Sequence, residues 1–178
     1  HRRLRRDEIV EMARDFGRAV ETAHEAGFDS VEVHAGHGYL ISQFLSPYTN
    51  HRRDEFGGSL ANRMRFMDMC LEEVMQVAAR CRMAVLVKHN MEDGFRGGIE
   101  IPESIEIAKR IESFGVDGIV LSSGFVSRAP MAVMRGRIPT KTMGYYMPWK
   151  MWPQKIVVSL FGQWMIKQYD FEECFFLE

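Results

Sequence analysis

Apolar positions divide the chain into three repeats of one pattern. Across residues 7–26, Ile9, Met12, Phe16, Val20 and Ala23 recur every three or four positions with charged residues between them, and Gly27 follows. That spacing predicts an amphipathic helix closed by a glycine stop. FDSVEVH at 28–34 then shortens the period and turns β-branched, as a strand does. A second helix is expected from Ser59, with Phe66, Cys70, Val74 and Val77 on one face, followed by a strand in MAVLVKH at 83–89. Pro102 suits a helix start, because its missing N–H has no partner there anyway. Ile105, Ala108 and Ile111 form the expected buried stripe of that third helix, and VDGIVLS at 116–122 the third strand.

EAGFDSVEV and SFGVDGIVL share one order: helix end, glycine, a turn containing Asp, apolar strand. That order reads as a helix C-cap glycine, a short turn, and a strand buried on both faces by flanking helices, as in a parallel sheet. The fold class expected is therefore α/β, a partial (β/α)8 TIM barrel with parallel strands and long βα loops. Three strands cannot close a barrel that typically takes about 250 residues, so the 178 residues read as the central portion of one barrel domain, cut from something longer at both ends.

Two stretches interrupt the repeat. Residues 35–58 contain GHGYLISQFLSPYTNHRRDEFGG, too rich in apolar and aromatic side chains for a disordered loop. Residues 123–155 show no sustained period and are expected to be a second elaborate loop, with 123–178 as a loop and aromatic-rich helical extension. Ten of the 20 aromatics fall after residue 143, including Trp149, Trp152 and Trp164. Such a cluster suits packing of a terminal helix or a surface for substrate or partner, and composition does not separate these.

Charge narrows the functional classes. Lys and Arg number 23 against 24 Asp and Glu, for a net charge of -1, and 46% of residues are hydrophobic. These values exclude intrinsic disorder and argue against bulk nucleic-acid binding. HRRLRR at the start, with His51, Arg52 and Arg53, is the basis of a minor nucleic-acid alternative, weakened by the acids beside the second patch. No apolar run approaches the roughly 18 residues of a membrane span. Cys70, Cys81 and Cys174 are too scattered for a disulfide framework or a CxxC site, so reduced thiols and a cytoplasmic location are expected. Were Glu178 the true end, the apolar run before it would be exposed and favour association or aggregation, and a homo-oligomer is left open.

His34, His37 and Tyr39 sit where the first strand ends and its loop begins, the edge at which α/β folds assemble their sites. Two imidazoles and a phenol offer hydrogen-bond donors, an anion clamp and a proton source. The same histidines are compatible with a structural role. They are also compatible with a metal site if Asp54, Glu55 or His89 converged on them, although HAGH is not the helical HExxH pattern. GFRGG at 94–98 matches neither the Walker A nor the dinucleotide glycine pattern and reads as a barrel loop.

GFDSVEVHAGHGYLISQFLSPYTNHRRDEFGGSLANRMRF resembles the signature of the old yellow enzyme family of flavin-dependent ene-reductases, in the branch of NADH:flavin oxidoreductases and 2,4-dienoyl-CoA reductases. GFVSRAPMAVMRGRIPTKTM and the aromatic tail resemble a subgroup of that branch. The resemblance implies an FMN-containing barrel, NADH or NADPH as reductant, and an unsaturated carbonyl compound as the small-molecule partner. It implies that His34 and His37 hold the substrate carbonyl oxygen, that Tyr39 protonates the α carbon, and that Lys88 contacts the flavin where relatives usually carry arginine. Lysine keeps the charge but loses the rigid fork of arginine. Arg52, Arg53, Asp54, Glu55, Gly57 and Gly58 match a charged loop whose expected work is architectural. The family's first strands and its phosphate-holding final strands have no counterpart here, and the three cysteines do not reproduce the iron–sulfur cluster of the dienoyl-CoA reductases. A catalytically inactive barrel fragment used for binding or structure is therefore the alternative.

Overall fold

The computed structural model describes residues 2–129 and 139–165. Helix α1 (Arg6–Glu25) leads into strand β1 (Ser30–Ala35), α2 (Leu40–Leu45) and α3 (Leu60–Cys81) into β2 (Ala84–Asn90), and α4 (Ile101–Glu112) into β3 (Gly118–Ser122). Helix α5 (Thr140–Tyr146), a 3₁₀ turn (Trp149–Met151) and α6 (Trp152–Met165) follow. The strands form one sheet in the order β1-β2-β3, both pairings parallel. Parallel neighbours require a crossover, which α3 and α4 supply.

The turns follow the repeated sequence units. Gly27 and Gly115 take φ of 86° and 76°, left-handed values that side chains resist, and each reverses the chain after its helix. The Asp after each glycine ties neighbouring strands together: Ala84 N–H donates to the Asp29 carbonyl, and Val85 N–H to the Asp117 carboxylate at 2.7 Å. Ser59 caps α3 by accepting from Asn62 N–H.

Alternation along the strands separates two faces. Val33, Ala35, Val85 and Val87 point into a core closed by Ile9, Ala13 and Val20 of α1, Phe66, Cys70 and Val74 of α3, and Ile107 and Ile111 of α4. Each of these larger side chains contributes about 1.5–3 kcal/mol by leaving water. Cys70 is fully enclosed, and burial raises its thiol pKa out of the reactive range. Glu32, His34, Leu86, Lys88 and Val120 lie on the opposite face, which is half-exposed and in a closed barrel would be the interior.

Three expectations need correction. The buried stripe of α4 is Ser104, Ile107 and Ile111, whereas Ile105 is solvent-exposed. Residues 35–58 are not wholly loop, since LISQFL forms α2, too short to display a helical period. Residues 140–155 are largely helical, but Pro139 starts α5 and Pro148 separates it from the 3₁₀ turn, which leaves pieces too short to show a repeat. Trp149 and Trp152 of this segment are exposed. The remainder of the aromatic extension, with Cys174, lies outside the described residues.

Candidate active site

The site grows from the carboxyl ends of the three strands. β1 stops at Ala35, Gly36 follows, and then His37 and Gly38 both take left-handed backbone conformations, with φ of 59° and 80°. The consecutive reversals fold the chain over the end of the sheet before Tyr39 caps α2. Tyr39 N–H donates to the Gly36 carbonyl, and Gly38 N–H donates to Ser42 Oγ. On the far side, Val126 N–H donates to the His37 carbonyl at 3.0 Å, joining the loops after β1 and β3.

This turn gathers the three predicted chemical side chains. The His34 and His37 rings lie 4.9 Å apart between centroids, and Tyr39 lies 5.1 Å from His34. Gly36 N–H donates to His34 Nδ1 at 3.4 Å, a long bond that favours the tautomer carrying hydrogen on Nε2. His37 Nε2 meets Ser122 Oγ, at the end of β3, at 2.6 Å. Tyr39 is about half exposed, and with His37, Gln43, Thr49, Phe125 and Val126 it lines a cavity of about 470 Å³. Tyr48, Phe95 and Phe125 cluster edge to face beside it, with the Arg128 guanidinium 5.3 Å from the Tyr48 ring centre.

Lys88 stands opposite His34 in the strand register, on the same face. Its ammonium pairs with Glu32 Oε1 at 2.6 Å. Both imidazoles titrate below the ordinary histidine value: His34 chiefly through burial and then the Lys88 charge, His37 through burial, then His34, then Lys88. The pair is therefore neutral near pH 7, each ring having one N–H to donate and one lone pair to accept.

The other candidates are not brought here. His89 points to the opposite face and bonds Ser104 Oγ at 2.9 Å. Arg52 pairs with Asp54 at 2.6 Å and donates to the Leu4 carbonyl, and Glu55 pairs with Arg6 at 3.0 Å, so the charged loop braces the excursion against the start of α1. Asn50, Asn90 and Asp93, all buried, and Ser122 escaped sequence reasoning; Asn90 and Ser122 carried a hint, as the last residues of strands on the site's edge.

Parallel β/α units with donors gathered at the carboxyl ends of the strands are the arrangement of a (β/α)8-barrel segment. Residues 1–144 match the NADH:flavin oxidoreductase / NADH oxidase family, and the chain belongs to it. The chain is 37% identical over 174 residues to a 4,4'-dithiodibutanoate disulfide reductase of Rhodococcus erythropolis, covering 96% of this chain and 41% of that protein. It is 42% identical over 130 residues to an NADPH dehydrogenase of Bacillus subtilis, covering 73% and 38%. The structure of an old yellow enzyme homologue from Zymomonas mobilis superposes with a TM-score of 0.59 at 36% identity, over 70% of this chain and 36% of that one. The chain thus spans about two fifths of the length of these curated relatives. The architecture is that of part of an old yellow enzyme barrel, and the family's cofactors are FMN and NAD(P)H. Among the described residues no helix is long and apolar enough to cross a membrane.

Proposed function

We propose that the protein containing this chain is an FMN-dependent oxidoreductase that moves hydride from NADH or NADPH to the activated C=C bond of an unsaturated carbonyl compound. One observation carries this reading: two neutral imidazoles 4.9 Å apart, with a phenol beside them, at the open end of the sheet. The donor set suits the cofactor, because Lys88 places a cation on the same sheet face, where negative charge on a reduced flavin ring would be favoured. FMN, when bound, supplies the two-electron reservoir between nicotinamide and alkene.

The remaining work belongs to the protein. His34 and His37 each donate an N–H to the substrate's carbonyl oxygen, which gains negative charge as hydride arrives at the β carbon. Donors already held in place gain strength as that charge develops, so they favour the transition state over the bound substrate. Tyr39 delivers the proton to the α carbon from its hydroxyl. The cavity walled by Phe125 and Val126 shelters the apolar part of the substrate from water.

The test is turnover by the intact protein with FMN, a reduced nicotinamide and a set of unsaturated carbonyl compounds. Reduction of at least one alkene, slowed when both histidines are replaced and slowed at protonation by Tyr39→Phe, is expected. Because the Rhodococcus relative is named for disulfide reduction, the set includes an organic disulfide. Turnover of the disulfide alone would reject the alkene assignment. Failure of a folded protein to take up FMN would favour the binding or structural role instead.

A further inference from the structure

Asn90, the last residue of β2, is fully buried, and every polar atom of its side chain is committed. Its Oδ1 accepts the His37 N–H at 3.1 Å, while its Nδ2 donates to the Gly124 carbonyl at 2.7 Å and to Asp93 Oδ1 at 3.1 Å. The amide can sit only one way round: two partners are acceptors and one is a donor, so a flip would oppose like groups at all three contacts. Asp93, also fully buried, accepts in turn from Ser46 Oγ at 2.7 Å and Ile99 N–H at 2.9 Å. One side chain therefore ties the loops after β1, β2 and β3 to one point.

That point lies directly beneath an imidazole of the site. His37 has a left-handed backbone, a conformation that non-glycine residues resist and that persists only where its surroundings impose it. Both of its backbone groups are held from outside its own loop, the N–H by Asn90 and the carbonyl by Val126 N–H. Rotating that peptide would swing the His37 ring away from His34. Gly36 leaves room for the clamp: a Cβ there would lie 2.6 Å from Asn90 Oδ1.

We infer that Asn90 is a positioning residue for the carbonyl-binding pair, fixing the His37 ring by holding its backbone N–H, with Gly36 as the gap through which the amide reaches. The inference rests on the function proposed above. It predicts that removing the amide and crowding it have the same consequence and are not additive, because both break one contact.

The experiment uses the intact FMN-loaded protein and the variants Asn90→Ala, Gly36→Ala, the double variant, and His37→Ala. A para-substituted phenol serves as probe, since its phenolate presents a single anionic oxygen as the reacting carbonyl does, and its Kd is read from the flavin absorbance. Each single variant should weaken phenol binding by about tenfold, with flavin content unchanged, and the double variant should bind no worse than Asn90→Ala alone. A purely architectural Asn90 would lower the melting temperature without moving the phenol Kd. Should Asn90→Ala fail to fold, Gly36→Ala alone decides by the same readout. Phenol binding lost in His37→Ala but kept in the Asn90 and Gly36 variants overturns this inference only. Binding kept in His37→Ala overturns the proposed function, and the inference with it.

Discussion

The imidazole rings of His34 and His37 meet edge to face, their planes inclined by 84°. Both rings are half-buried, and at this separation a charge on one disfavours a charge on the other. Burial is the largest cause lowering both pKa values, and Lys88 adds a Coulombic contribution to each, whereas Glu32 opposes the shift at His34 only.

An NMR titration of the two imidazoles should therefore give midpoints below the ordinary 6.5 for both. Lys88→Met removes a nearby cation and should raise both. Glu32→Gln removes an anion that favours the protonated form, so it should lower His34 further. Midpoints at or above the ordinary value would remove the neutral donor pair on which the proposed chemistry stands.

Ser122 sets which nitrogen of His37 can act. If His37 donates through Nδ1, then Nε2 carries a lone pair and must accept the Ser122 hydroxyl hydrogen across their 2.6 Å contact. Nitrogen-15 shifts of labelled histidine should report that tautomer, and Ser122→Ala should mix it with the other. A lost hydrogen bond of about 1 kcal/mol corresponds to roughly a fivefold decrease in kcat/KM for alkene reduction. A resting His37 with hydrogen on Nε2 would be donating to Ser122 and would have no N–H left for a carbonyl at Nδ1.

Lys88 does not offer its whole charge to the sheet face, because Glu32 lies 2.6 Å from its ammonium. Removing the carboxylate should expose the cation, and removing the cation should leave the carboxylate. Glu32→Gln is thus expected to raise the midpoint potential of bound FMN and Lys88→Met to lower it, each by tens of millivolts, since about 30 mV corresponds to 1.4 kcal/mol for a two-electron couple. Spectroelectrochemistry of the intact protein checks both signs, and equal potentials in the two variants would separate Lys88 from the flavin.

What could be read from the sequence followed from repetition. The units Gly27-Phe28-Asp29 and Gly115-Val116-Asp117 are written twice because the same turn joins a helix to a strand twice, so the parallel β/α order was legible before any coordinates. His34, His37 and Tyr39 were legible because they fall within a few residues of one strand end. Ser122 and Asn90 lie 85 and 53 positions from His37, and only strand register brings them together. Small polar residues at strand ends leave no compositional trace. Helix α2 was hidden for a different reason: six residues span less than two turns, and the cue that distinguishes a helix from a loop is repetition over several.

His89 supplies the chain with a dependence on acid separate from the titration of the two site imidazoles. The ring is fully buried; its Nε2 bonds Ser104 Oγ, whose hydrogen goes on to the Asn90 carbonyl at 3.0 Å, so Nε2 must carry the imidazole hydrogen. Nδ1 is left without a partner among the described residues, and burial pushes the pKa down to about 4. The native state therefore refuses a proton that the unfolded chain accepts. Above the ordinary 6.5 neither state is protonated and the contribution is complete; as pH falls from there to about 4 the unfolded state alone gains the proton, and stability is lost. The gap is worth about 3 kcal/mol over that window. Urea unfolding of the intact protein at neutral pH and in the acid window should show this loss, and His89→Leu, which has nothing to titrate, should lose about that much less on the same acidification. An identical loss in the variant would assign the acid sensitivity to other groups.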